Sequence, residues 1–312
     1  MNKVLDIICA GELLVDLIGT AVSESLADTP AFEKHLGGSP TNVAANLTML
    51  GFEVRLVGAV GMDSFGKFIL HKLKSNNIDT TSVAKISTSA TSVVAVSKSQ
   101  NTPDFIPFRG ADGQIDPAQL EDDLLRQTKV FHTTAFALSA EPARSAILKA
   151  AKRASEFDAQ LSIDINYSEI IWPDRSEAQS CIEQYCALNP FVKVSEDDMQ
   201  RYFKQSLSHE AIFEYFHKTG VDLVCLTLGK NGVKLSQKNK DIIFVPAGKI
   251  EVLGDVTGAG DAFWSGFLSA YLNGLPVLDS LDLAQELAAI KLQSVGRIDS
   301  HSQKLKKFMK MN

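Results

Sequence analysis

LGDVTGAGDAF, residues 253–263, is followed by residues 264–272 with helical spacing and then by Asn273 and Gly274, so Gly258, Ala259 and Gly260 fall at the N-terminus of a helix. First-turn amides have no intrahelical partner and sit at the positive end of the helix dipole. Small residues there let the backbone approach and hold a phosphate. Asp261 comes next. A carboxylate beside a phosphate cradle repels the bound anion, and a proton-accepting role accounts for its presence. The competing reading is that Asp261 only complements the helix dipole and the glycines form an ordinary turn. The run is not GxxxxGK[ST], and its GxG lacks the third glycine and following acidic residue of a dinucleotide fingerprint, which disfavours a nicotinamide enzyme.

Outward from this run, short β-branched apolar segments alternate with amphipathic ones, the rhythm of repeated βα units and a mainly parallel sheet covered by helices. Strands are expected over 5–10, 53–60, 129–132, 160–164, 191–194 and 223–228, with a hairpin extension over 233–235 and 242–245. Helices are expected over 40–50, 64–76, 117–126, 142–156, 196–203, 210–219 and 281–295, the first ending at Gly51 and the last followed by a solvated Lys-rich tail. Residues 13–36 lack a helical period, and 87–108 alternate apolar residues with Ser and Thr before reaching Pro103 and Pro107. Both are expected as strands outside the main sheet, forming a small lid over one end of a single domain that spans residues 1–312. No internal repeat is visible.

The 312 residues suffice for a large core, and an apolar share of 45% with 22% charged residues excludes a disordered chain. Thirty-one basic against 37 acidic residues give a net charge of −6, and no basic run exists, so neither nucleic acid nor an anionic membrane is an expected partner. Asp6, Glu12 and Asp16 interrupt the apolar N-terminal stretch and argue against a signal peptide or membrane helix. Cys9, Cys181, Cys186 and Cys225 are spaced neither as metal-ligand pairs nor as a disulfide framework. A cytoplasmic protein is expected.

DVTGAGD resembles the C-terminal signature of the ribokinase-like (PfkB-type) carbohydrate kinases. The resemblance runs along nearly the whole chain: Gly37–Gly38–Ser39–Pro40–Thr41–Asn42–Val43–Ala44 matches the N-terminal signature, preceded by GELLVDLIG, and VGAVGMDSFG, DINYSEIIW, VKVSEDD and TLGKNG follow in the family's order. It implies a three-layer α/β fold with a small β lid, and phosphoryl transfer from ATP with Mg²⁺. Asp261 would then take the proton from a sugar hydroxyl while the amides of Gly258, Ala259 and Gly260 stabilise the transferring group. Asp16, Gly37, Gly38 and Asn42 would bind the sugar. An amide that both donates and accepts suits adjacent hydroxyls. Ser195 and Asp198 stand at the family's Mg²⁺-organising position, although SEDD read without the family is a helix N-cap with an acidic first turn. Thr227, Gly229, Gly232 and Lys193 would face the nucleotide, and Asp255 matches a position that supports K⁺.

Three departures qualify the transfer. Ser168 stands where the family's Asp-x-Asn-x-Arg segment has arginine, leaving Lys193 or Lys230 as substitutes for its charge. Gln285 and Glu286 stand where an adenine-side Asn is usual, and the SVGRIDS loop is short for a cation site. FIPFRGAD is similar to the lid strand and Arg-x-x-Ala-Asp of fructokinases and keto-sugar-acid kinases, which nominates Arg109 as a substrate contact. A sugar acid needs a cationic fork, and the loss of arginine at 168 favours a neutral sugar. Fructose phosphorylated at O6 is therefore the expected substrate, with 2-keto-3-deoxygluconate, 5-dehydro-2-deoxygluconate and ribose as alternatives. A non-catalytic sugar or nucleotide sensor is the alternative of a different class. A homodimer through the lid is also expected.

Overall fold

The computed structural model describes residues 3–99, 104–248, 250, 257–294, 298 and 303–311. The strands are β1 (Leu5–Ala10), β2 (Leu14–Val22), β3 (Phe32–Gly37), β4 (Val54–Gly61), β5 (Val83–Ile86), β6 (Ser92–Lys98), β7 (Phe105–Phe108), β8 (Thr128–Thr134), β9 (Gln160–Asp164), β10 (Phe191–Ser195), β11 (Leu223–Thr227), β12 (Val233–Gln237) and β13 (Ile243–Val245). The helices are α1 (Ser39–Met49), α2 (Ser64–Ser75), α3 (Asp122–Arg126), α4 (Ala143–Glu156), α5 (Arg175–Cys186), α6 (Glu196–Phe203), α7 (His209–Lys218), α8 (Ala259–Leu272) and α9 (Val277–Leu292).

Nine strands form one sheet in the order β13-β12-β11-β10-β9-β8-β1-β4-β5. Pairing is parallel from β11 to β5, and β12 and β13 extend the sheet antiparallel. The continuous apolar runs of the central strands follow from this layout, because helices cover both faces of a parallel sheet. Along β1, Ile8 and Ala10 face a core shared with α3 to α7, whereas Ile7 and Cys9 face a core shared with α1, α2, α8 and α9. This period-two division makes three layers. All four cysteines are free and buried within these cores.

The segments that broke the βα rhythm stand outside this sheet, as expected. They form a second sheet of four strands, β3-β2-β6-β7, with β2 parallel to β6 and the outer pairs antiparallel. Other expectations shift. Residues 117–126 split into a 3₁₀ turn, Pro117–Gln119, which an Asp116–Gln119 capping box opens, and the five-residue α3, because the backbone leaves the helical region at Leu120 (φ −125°, ψ 50°). α5 was not anticipated: its buried stripe is Ala178, Cys181, Ile182, Tyr185 and Cys186, in which small residues and thiols replace the usual aliphatics. The Lys-rich tail is not merely solvated. Leu305 and Phe308 are buried in the α1/α8/α9 core, and Lys310 donates its amide to Leu50 and its ammonium to Asp6 (2.8 Å). Val295, the end of the last expected helix, lies outside the described residues, as do residues 100–103 of the expected lid. Among the described residues no helix is long and apolar enough to cross a membrane.

Candidate active site

Chain order reverses between β1 and β8: from β1 the strands proceed to β4 and β5 on one side, and from β8 to β11 on the other. Parallel sheets open a crevice at the C-terminal ends of the strands at such a switch point. Glu12, just past β1, bridges it. Its Oε2 accepts from the Thr134 hydroxyl at the end of β8 (2.7 Å), and its Oε1 accepts from the Ser39 amide at the start of α1 (3.1 Å). Burial pushes the Glu12 carboxyl up to about 8, against these hydrogen bonds and with the charge of Asp112. The glycine pair before α1 is dictated by crowding. A Cβ on Gly38, whose φ is 99°, would collide with the Glu12 carbonyl oxygen, and one on Gly37 would collide with the Asp16 carboxylate. The backbone therefore passes directly over β1 and β2.

That loop delivers two side chains to Asp261. Ser39 Oγ donates to Oδ1 (2.6 Å) and Asn42 Nδ2 donates to Oδ2 (2.8 Å). Asp261 is thus held from the first turn of α8 against the first turn of α1, more than two hundred residues earlier in the chain. Gly258 caps α8 in the left-handed region (φ 77°), and the first-turn amides of α8 have no partner within the helix. α8 is anchored from below: Trp264 Nε1 donates to Ser162 Oγ on β9 (2.9 Å), its ring stacks on Phe267 (4.8 Å between centroids), and Asn46 of α1 donates to Ser265 (3.1 Å).

Beneath the cradle lies a buried cation. Lys193 Nζ on β10 is 2.7 Å from Asp164 Oδ2 and would be only 2.9 Å from a Cβ at position 260, so the ammonium fills the space that Gly260 leaves open. Burial works against its charge, but Asp164, Asp198 and Asp261 outweigh it and raise the Lys193 pKa. Burial pushes the Asp164 carboxyl up to about 6 despite Lys193. Its Oδ1 is buried with no hydrogen-bond partner. Ser195 caps α6, accepting from the Asp198 amide (3.0 Å) while its hydroxyl donates to Asp198 Oδ2 (2.5 Å). Arg201 takes the other Asp198 oxygen (2.7 Å).

Thr227 ends β11 and donates to the Val194 carbonyl (3.3 Å). Gly229 (φ 55°) and Gly232 (φ 115°) form the turn into β12, and Gly232 packs so closely on the backbone of Pro246 and Ala247 that no Cβ fits. Gln285 of α9 donates to the carbonyls of Val245 and Pro246 (3.2 Å each), tying α9 to β13. Asp255 lies outside the described residues. Arg109 does not line the cleft described next. It donates through Nε to the buried Asp112 (2.8 Å) and through Nη1 to Ser139 (2.6 Å), and its guanidinium lies over the Phe136 ring at 4.3 Å.

A cleft of about 620 Å³ opens between the second sheet and helices α1 and α2, reaching Gly258 at the N-cap of α8 and Lys291 of α9. Asp16, Asn42, Thr257, Gly258 and Lys291 line its inner part; Lys34 and Lys72 line its outer part. Sequence reasoning did not single out Ser39, Glu12 or Lys291. Ser39 sits inside the matched GGSPTN run, and its place between the glycines and the N1 proline was the available signal.

An anion cradle and a carboxylate facing an acceptor segment across the switch point of a parallel sheet make the arrangement of a small-molecule kinase. Residues 4–304 match the pfkB family of carbohydrate kinases, and the chain belongs to that family. It is 36% identical to an ATP-dependent 6-phosphofructokinase of Thermoanaerobacterium thermosaccharolyticum, over 95% of this chain and 91% of that protein. The fructokinase structure of Halothermothrix orenii superimposes with a TM-score of 0.80 and 36% identity, covering 90% of this chain and 96% of the other. An uncharacterized sugar kinase from Pyrococcus horikoshii, in complex with ATP, superimposes with a TM-score of 0.82 and 28% identity over 97% and 100% of the two chains.

Proposed function

We propose that this sugar kinase transfers the γ-phosphate of ATP to O6 of fructose. The carrying observation is Asp261, held by Ser39 and Asn42 in the first turn of α8, next to a cleft that Asp16, Asn42 and Gly258 line. Asp261 accepts the proton of the acceptor hydroxyl as its oxygen bonds to the γ-phosphorus. The bond to the β,γ-bridging oxygen breaks, and ADP leaves with that electron pair. The cradle amides hold the charge of the transferring group. Asp16 and Asn42 orient the sugar by its hydroxyls, and Arg109 holds the loop after β7 through Asp112 and Ser139. Thr227, Gly229, Gly232 and the neighbourhood of Lys193 and Ser195 face the nucleotide.

The donor set fits Mg²⁺ held mainly by phosphates and water. Among the described residues no cluster of three His, Cys, Asp or Glu forms a metal cage, while Asp164 carries an unpartnered buried oxygen and Asp198 stands beside the same lysine. Asp164 would hold the ion directly or through water and Asp198 through water, and the ion would supply charge neutralisation at the phosphates. K⁺ activation rests on Asp255 and is tested by titrating KCl against turnover.

A second acceptor has its own support. Lys34 and Lys72 share the Phe68 ring, at 4.6 and 5.9 Å, and line the cleft without a carboxylate partner among the described residues. Such a pair suits a phosphate carried by the sugar, and the Thermoanaerobacterium relative is a 6-phosphofructokinase. ADP release measured over fructose, fructose 6-phosphate, ribose, 2-keto-3-deoxygluconate, 5-dehydro-2-deoxygluconate and nucleosides decides the acceptor. Turnover of fructose alone supports the first reading, and preference for fructose 6-phosphate the second. Absence of turnover with every acceptor in a folded protein supports a sensor.

The outer second sheet exposes Val22, Phe32, Ile106 and Phe108. A homodimer that pairs these faces follows from the cost of leaving them in water, and light scattering of a strict monomer removes it. A cytoplasmic location agrees with four unpaired cysteines.

A further inference from the structure

We propose that the Lys291 ammonium, on the last turn of α9, contacts the phosphoryl group held for transfer by the cradle at residues 258–260. The proposal rests on the kinase reading of the cleft and adds to it a residue that no motif contains. Three observations carry it. Lys291 lines the same cleft as Asp16, Asn42 and Gly258. Its Cε lies 3.5 Å from the position a Cβ would take on Gly258, which places the end of the side chain beside the N-cap of α8. Among the described residues it has no acidic partner, although fourteen ion pairs join other cations to acids.

The charge balance of the site favours such a cation. Asp164, Asp198 and Asp261 all act on Lys193, which among the described residues is the one buried cation beside them and is committed to Asp164 at 2.7 Å, while the more exposed Arg201 takes one Asp198 oxygen. Ser168 removes a further cation from the segment after β9. Lys230 does not replace it, because it is exposed on the Gly229–Asn231 turn and lines no part of the cleft. Lys291 is half-buried, with the end of its stem beside Gly258, so a contact at the first turn of α8 lies within its reach. The competing role is purely local: a lysine in the last turn complements the C-terminal end of α9.

The test compares the full chain with Lys291→Met and Lys291→Arg. Calorimetry with ATP and with ADP, each without sugar, reads the contact directly. Loss of a charged hydrogen bond to the terminal phosphate should weaken ATP binding about tenfold or more and leave ADP within about twofold, with most of the loss recovered in Lys291→Arg. On the best acceptor, Lys291→Met should lower kcat about tenfold with the sugar KM nearly unchanged. Equal losses for ATP and ADP, or no loss for either, overturn the proposal, as does a variant whose only change is a lower thermal midpoint. A wild-type protein that binds ATP and phosphorylates no acceptor defeats the kinase reading instead, and the ATP-against-ADP comparison still decides the contact.

Discussion

The two sheets build the site by different means. The nine-stranded sheet presents strand ends, the first turns of α1 and α8, and a buried Lys193–Asp164 pair, all fixed by packing. The four-stranded sheet presents side chains such as Asp16, Lys34 and His35 on strands with one open face. Phosphoryl chemistry needs donors placed before the substrate arrives, and a packed backbone supplies them without reorganisation. Sugar choice depends on a few side chains that a surface strand can exchange at little cost to folding. Damage to the first region should therefore remove turnover, and damage at its border with the second should change acceptor use.

The largest effect belongs to Asp261→Asn. The amide keeps size and most hydrogen bonds to Ser39 and Asn42 but accepts no proton, so kcat should fall about 10²–10⁴-fold. ATP affinity should hold or tighten slightly, since a negative charge near the γ-phosphate is gone. If Asp261 served only the dipole of α8, the variant would lose about 0.3–1 kcal/mol of stability and keep its turnover. A near-normal kcat breaks the comparison at its strongest point.

Gly38→Ala tests the border. The added methyl meets the Glu12 carbonyl oxygen at a backbone φ of 99°, so the loop carrying Ser39 and Asn42 must shift. A displacement of about 1 Å at reacting groups costs on the order of 100-fold. The loss should appear in kcat/KM for the sugar, with ATP binding by calorimetry unchanged. Equal weakening of ATP would show that the loop and the cradle are one unit and not two.

Much of this division is legible in the chain alone. The alternation of apolar runs and amphipathic segments dictates the three layers, and residues 13–36 and 87–108 announce a separate sheet because their period fails. Glycines at 37, 38, 258 and 260 mark places where a Cβ has no room or where amides face a ligand. Other features leave weaker marks. α5 buries two thiols and an alanine along with a single aliphatic residue, and β5 is a four-residue edge strand, so neither produces a strong period. Glu12 and Lys291 acquire meaning only from what the fold brings beside them, Thr134 and Ser39 in one case and Gly258 in the other. Pairings across 27 residues (Glu12 with Ser39) or 122 (Glu12 with Thr134) have no local signature.

Arg109→Ala separates folding from recognition within the second region. Asp112 is fully buried at its side chain and would keep Ser92 but lose its guanidinium. Removing one member of a buried pair costs about 3 kcal/mol, which urea unfolding measures. Because Arg109 is committed to Asp112, Ser139 and the Phe136 ring, kcat of the folded variant should change by less than about threefold. A sugar KM that rises by about tenfold or more would instead place Arg109 on the substrate.

Glu12→Gln should change turnover least and pH behaviour most. The wild-type carboxyl titrates near 8 in the fold, against an ordinary value of 4.5, because burial outweighs the hydrogen bonds from Thr134 and Ser39 and the Asp112 charge adds to it. Between those two values the folded protein keeps a proton that the unfolded chain has released. Stability from this group is thus complete below about pH 4.5 and is lost as pH rises toward 8, at up to about 1.4 kcal/mol per pH unit. Glutamine has the same shape, can still accept from the Ser39 amide and does not titrate. Its thermal midpoint should therefore gain on the wild type steadily from pH 5 to pH 8, while kcat and the sugar KM at pH 7 stay within about twofold. Parallel midpoint curves for the two proteins across that range would mean that Glu12 is ionised in the fold, and that the crevice at the switch point is wetter than its packing indicates.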